Sequence, residues 1–129
     1  MRIEFTIKLA PVTKKNHSQI IKNPKTGQLM VLPSKQYKQY EKDARWFIPS
    51  IETIKERVTV EAHFYMPTRH RVDLVNLEQA LLDILVKYGV LEDDNSNIVY
   101  SMDGSRVHYD KENPRTGVAL VYESGNTDS

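Results

Sequence analysis

The chain is 129 residues long, carries a formal net charge of +1 and has no cysteine. That length holds one core but not two. Without thiols there is no disulfide, thiolate metal site or cysteine nucleophile. Any metal must then take oxygen or imidazole ligands, which suits magnesium or manganese better than structural zinc.

No long apolar run and no basic-then-apolar leader is present, so the chain is expected to be soluble, away from membranes and cytoplasmic. The small net charge conceals an uneven distribution. Residues 1–40 hold eight Lys/Arg against Glu4, residues 41–60 balance, and residues 61–129 hold six basic against twelve acidic groups. A basic front and an acidic back suit a protein that grips phosphate with one part and cations with another. Two solvated surfaces of opposite sign, complementary in a dimer, would leave the same trace.

Ile3, Phe5, Ile7 and Leu9 alternate with polar residues until Pro11, which predicts a half-buried strand. A basic arm comes next over residues 12–33, with Lys14, Lys15 and Asn16 near its start and a turn at Asn23–Gly27. Ile20-Ile21 and Leu29–Leu32 are placed to pair as a hairpin. The arm is a candidate contact to backbone phosphates, and its plain alternative is a surface loop. Ser34 is a good N-cap for a helix in which Tyr37, Tyr40, Ala44 and Phe47 recur until Pro49. Those tyrosines are read as core residues. Val58 to Met66 alternates cleanly as a second strand, with His63 on its more polar side and without a role.

Next, Arg69-His70-Arg71 leads into Asp73 and a second helix. Leu74, Leu77, Leu81, Ile84 and Leu85 form its apolar stripe, and Asn76, Gln79 and Asp83 lie along another side. Gly89 ends it. The turn Glu92-Asp93-Asp94-Asn95 precedes three short strands at residues 98–102, 106–109 and 118–122, and residues 125–129 are expected to be a disordered tail. The order predicts a single α+β domain over residues 1–124, a mixed sheet with two main helices packed on it.

Each acidic residue alone has an ordinary reading. Asp73 suits an N-cap, Asp83 a polar helix face, and Asp93-Asp94 a turn. Together they form a different pattern. If the turn folds back along the helix, Asp73, Asp83 and Asp94 line one side, next to arginines. Carboxylates that hold a metal beside cations that hold phosphate are the ingredients of phosphodiester cleavage. Asp83, Asp93, Glu78 and Asp103 are candidates to complete the set.

The run Arg71-x-Asp73-Leu74-x-Asn76-Leu77-x-x-Ala80-x-x-Asp83-x-Leu85, continued by Gly89 and Asp93-Asp94, resembles the signature of the RusA family of Holliday-junction resolvases. The likeness is close over roughly residues 66–100 and extends to the layout of the rest. It implies a homodimeric, magnesium-dependent endonuclease acting on branched DNA, of the kind common in phages and prophages. By the same resemblance, Asp73 and Asp94 are the metal-binding aspartates and Asp83 the helix aspartate; Asp83 or Asp93 is the expected substitute that completes the metal set. Lys14, Lys15, Asn16, Arg69 and Arg71 are then the DNA contacts. Two positions depart from the family pattern: Val75 stands where an aspartate is usual, and Gln79 where a lysine is usual. The alternatives are a nuclease that uses its other carboxylates and a weakened one that binds branched DNA. A phosphohydrolase of small molecules fits less well, because the long basic arm exceeds what a small phosphate needs.

Overall fold

The alternating residues of the first strand sort to opposite faces because successive side chains in an extended chain do so. The computed structural model describes residues 1–14, 19–32 and 34–123. In it, β1 (Arg2–Ile7) lies antiparallel to β7 (Arg115–Tyr122), and β7 lies antiparallel to β4 (Val58–Met66). The far edge of β4 is shared by two short parallel strands. β5 (Val99–Ser101) lies beside its start, and β6 (Arg106–Tyr109) beside its end, from His63 to Met66. Ser105 fills the gap between them: its Oγ accepts from Ala62 N at 3.0 Å.

Because β4 and β5 run parallel, the chain must cross over between them, and α2 (Leu74–Lys87) makes that crossover. Its stripe of Leu77, Leu81, Ile84 and Leu85 is buried in one cluster with Val58, Val60, Phe64 and Leu120. Each such side chain stabilises the fold by about 1.5–3 kcal/mol relative to exposure. α1 (Lys35–Ala44) adds Tyr37, Tyr40 and Ala44 to the same cluster, and Ser34 caps it by accepting from Tyr37 N at 3.0 Å. The opposite face of the sheet, with Glu61, His63 and Tyr65, carries no helix among the described residues. This is the α+β arrangement expected from the sequence.

β2 (Gln19–Lys22) and β3 (Leu29–Leu32) form the expected hairpin, a separate two-stranded sheet. Asn23 Oδ1 accepts from Lys25 N at 2.8 Å to shape its turn, and Gly27 takes the φ of 74° that completes it. Three strand lengths differ from expectation, the first being β1, which ends at Ile7 and not at Leu9. β5 is shorter, and β7 begins at Arg115, where Arg-Thr-Gly reads locally as turn but pairs along β4 from Tyr65 to His63. The expected disordered tail lies outside the described residues.

The chain beyond the end of α2 positions the site. Gly89 adopts φ 77°, so Val90 N reaches back to Leu85 O at 2.9 Å. Val90 and Leu91 are both buried, and Glu92 N donates to Ile54 O at 3.0 Å. These contacts turn the chain back, and the segment that carries Asp94 runs along α2 instead of away from it.

Candidate functional site

Asp73 occupies the N-cap position of α2 with extended backbone, yet its side chain makes no cap hydrogen bond. Its carboxylate instead accepts from Asn76 Nδ2 at 3.2 Å. The capping reading of this residue therefore fails at the side chain. Further along the same side of the helix, Gln79 Nε2 donates to Asp83 Oδ1 and to Asp94 Oδ2, each at 3.0 Å. Asp73, Asn76, Gln79, Asp83 and Asp94 thus form one row in which amides separate the carboxylates. A neutral donor between like charges lowers their mutual repulsion and holds both in place.

Asp93 behaves differently. Its Oδ1 accepts from Asp94 N at 2.7 Å and its Oδ2 from Asn95 Nδ2 at 3.0 Å, so both oxygens serve its own turn. Burial raises the Glu78 carboxyl above its usual range, and Asp103 stays on the β5–β6 turn, where its N–H donates to Ser101 Oγ. Among the described residues, no three His, Asp or Glu side chains converge as a ready metal cluster. The donor set nevertheless suits a hard cation: Asp73, Asp83 and Asp94 offer only oxygens, and none of the three is locked into a cap or turn.

The basic candidates divide. Lys14 Nζ lies 2.7 Å from Asp83 Oδ2, inside the acidic row. The Arg69 guanidinium sits over the Tyr109 ring, 4.1 Å from its centroid, so an aromatic at the end of β6 orients it. Arg71 is exposed and, with His70, lines a cavity of about 530 Å³ whose wall includes Asp73 and Asn76. Lys15 and Asn16 lie outside the described residues. Val75, one position on from Leu74, is 71 % exposed.

A second constellation, on the open face of the sheet, was not anticipated from the sequence. His63 Nε2 pairs with Glu61 Oε2 at 2.7 Å, and His63 Nδ1 meets His108 Nε2 at 2.8 Å. Tyr65 stacks on His108 at 4.6 Å, Arg115 lies 3.7 Å over Tyr65, and Arg115 pairs with Asp110 at 2.9 Å. The His63 contact lowers the Glu61 carboxyl, and Arg115 lowers that of Asp110. Partial burial, and then the charges of His63, Arg106 and Arg115, hold His108 below the ordinary histidine range. The signal available in the sequence was the placing of Glu61, His63 and Tyr65 on the polar side of one strand. Only the β4–β6 and β4–β7 registers assemble the constellation.

Residues 7–121 match the protein family described as endodeoxyribonuclease RusA. The chain belongs to the RusA family. The match runs from the end of β1 to the end of β7 and includes the whole acidic row of α2. Membership places the chain in a family of endodeoxyribonucleases. No curated protein gives a significant match. Within this RusA-family fold, the uncapped Asp73 and the Asp83–Gln79–Asp94 bridge mark where the chemistry is to be sought.

Proposed function

We propose that this RusA-family chain is a magnesium-dependent endonuclease that resolves four-way DNA junctions by paired, symmetric nicks. The observation that carries the reading is the return of Asp94 to α2, where it joins Asp83 on the side that Asp73 begins. Asp73, Asp83 and Asp94 would supply the magnesium ligands, with manganese an alternative. The ten residues from Asp73 to Asp83 span about 15 Å of helix, so those two would not share one ion, and Asp93 fixes the turn that presents Asp94. Bound metal supplies charge neutralisation at the scissile phosphate and makes a water acidic enough to attack it. The protein does the rest. Arg71 and His70, on the cavity rim beside Asp73, hold the phosphate, and Arg69, set by Tyr109, holds a neighbouring one. Lys14, Lys15 and Asn16 bring the basic arm onto the backbone, and Asn76 holds the Asp73 carboxylate in position. Cleavage leaves 5′-phosphate and 3′-hydroxyl ends.

A homodimer suits this task, because a two-fold axis in the protein matches the pseudo-two-fold symmetry of the junction. Among the described residues no helix is long and apolar enough to cross a membrane, and the proposed place of action is the cytoplasm, that of a bacterial host if the chain is phage-encoded.

A second reading, a branched-DNA-binding protein with weakened catalysis, draws on Val75 and Gln79. Exposed Val75 adds no ligand to the row, and Gln79 places an amide, not a cation, between Asp83 and Asp94. A supercoiled plasmid that extrudes a cruciform separates the two. Paired nicking by a dimer converts it to a linear form with magnesium present. Retarded but intact plasmid supports the binding protein, and nicked circles alone contradict symmetric action.

A further inference from the structure

The inner side of α1 is fixed by Tyr37, Tyr40 and Ala44, which join the core. That fixes the outer side as well. Lys35, Lys38, Lys42 and Arg45 recur at i, i+3, i+7 and i+10 and are all exposed, so helical spacing collects these cations in one stripe. Arg45 opens the short 3-10 turn Arg45–Phe47 that prolongs the helix. Trp46 follows it, 81 % exposed, with the Arg45 guanidinium 6.0 Å from its ring centroid. The carboxylates of the helix are engaged elsewhere: Glu41 pairs with Lys87 at 2.7 Å, and Asp43 accepts from Gln39 at 2.9 Å. Among the described residues, Lys35, Lys38 and Lys42 form no ion pair.

Exposed lysines on a helix are ordinary, and a single exposed aromatic has no necessary partner. Their combination is less ordinary. Unpaired cations in line on a rigid element make a track for a polyanion, and an open indole at its end offers a face to a base. From the cationic stripe and the open Trp46 ring together, we infer that the outer side of α1 holds one unpaired DNA strand next to the branch point. Its phosphates lie on Lys35, Lys38, Lys42 and Arg45, and one base stacks on Trp46. The inference rests on action upon branched DNA, which both readings above share. From Lys35 to Arg45 the helix rises about 15 Å, the length of about four nucleotides at roughly 3.4 Å each. Gln36, in the first turn of α1, lines the cavity beside Asp73, so the stripe begins at the candidate site and leads away from it. A base paired within a duplex presents no face to an indole. Stacking on Trp46 therefore selects strands whose pairing is already interrupted, where withdrawing a base is least unfavourable. Continuous duplex gains the phosphate contacts alone, and the stripe thereby separates branched from unbranched DNA.

Trp46 is the sole tryptophan of the chain, so intrinsic tryptophan emission of the full-length protein reports this position alone. The test titrates that emission with a four-way junction, with oligothymidylate and with a continuous duplex, with calcium in place of magnesium to withhold cutting. Strong quenching by the junction and by oligothymidylate, and little by the duplex, is expected. Trp46→Ala should weaken binding of the first two by roughly tenfold, as for one lost stacked base, while Trp46→Phe keeps most of it. Lys38→Ala and Lys42→Ala should each take about one unit from the salt slope of binding. A junction that is bound and cut while Trp46 emission stays unchanged overturns the α1 surface and leaves the nuclease reading intact. Equal quenching by the duplex, or salt slopes unchanged in both lysine variants, overturns it too. Emission that shifts with protein concentration in the absence of DNA means that a second copy covers Trp46, and this also overturns it. Quenching with the expected slopes but no magnesium-dependent cutting supports the α1 surface and overturns the nuclease reading alone. Failure of the wild type to bind either the junction or oligothymidylate overturns both.

Discussion

Lys14 Nζ stands 2.7 Å from Asp83 Oδ2, so the first lysine of the basic arm is anchored among the carboxylates of α2. The same Asp83 shares Gln79 with Asp94. An ammonium in that place offsets acidic charge and competes with a metal for an Asp83 oxygen. Both partners are partly exposed, which limits the pair to about 1 kcal/mol or less. Lys14→Ala is therefore expected to lower the magnesium concentration for half-maximal cutting by up to about fivefold. Junction affinity should fall, and the salt slope of binding should lose about one unit if Lys14 also meets a phosphate. A magnesium titration of nick rate, alongside binding at several salt concentrations, reads both effects. An unchanged magnesium requirement would separate Asp83 from the metal.

His108 gives stability a pH dependence. His108 is held below its ordinary value of 6.5, first by partial burial and then by neighbouring positive charge. A depressed histidine binds protons less readily when folded than unfolded. Its contribution is therefore present above the unfolded pKa and is lost as pH falls through the folded one. Tm should decline below about pH 6.5, and His108→Gln should flatten that decline. Thermal melts from pH 8 to pH 5 measure it, and parallel curves for the two proteins would show that His108 is not the group responsible.

Ser105 offers a stability test remote from the site. It is 6 % exposed, and its Oγ is the acceptor for Ala62 N where β5 ends and β6 has not begun. Ser105→Ala leaves a buried N–H without a partner, which costs about 1–3 kcal/mol. Urea unfolding should show the loss as a lower midpoint with an unchanged slope. Junction binding should persist at low temperature, since Ser105 lies away from the acidic row.

Local pattern carried most of the fold. The alternation of Val58 to Met66, the stripe of α2, the Ser34 cap and Gly89 each depend on neighbours in sequence, and each appears where the pattern places it. The start of β7 was not legible, since Arg115–Gly117 becomes strand only by pairing with β4. Within the site, the side of α2 that holds Asn76, Gln79 and Asp83 was set by helical spacing, and Asp94 joined it as expected from a turn that folds back. The approach of Lys14 to Asp83 was not legible, because the two are 69 positions apart and nothing local links them. The His63–His108 contact is hidden for the same reason, across 45 positions. Asp73 shows the limit from the other side: an aspartate at a helix start reads as a cap, and only its side-chain geometry shows that it is not one.

The most direct test of the central claim is the single-turnover cleavage of a labelled four-way junction, with and without magnesium, by the wild type and by Asp73→Asn. The Asp73 side chain makes no cap hydrogen bond that the substitution would remove, and asparagine has nearly the same shape, so the variant should keep its Tm. The expected result for the wild type is paired nicks that require magnesium. The variant should lose at least about a thousandfold in rate, corresponding to about 4 kcal/mol of barrier, while its junction binding persists. Equal cutting by wild type and variant, or cutting without any divalent metal, would contradict the assignment of Asp73 and the site built around it.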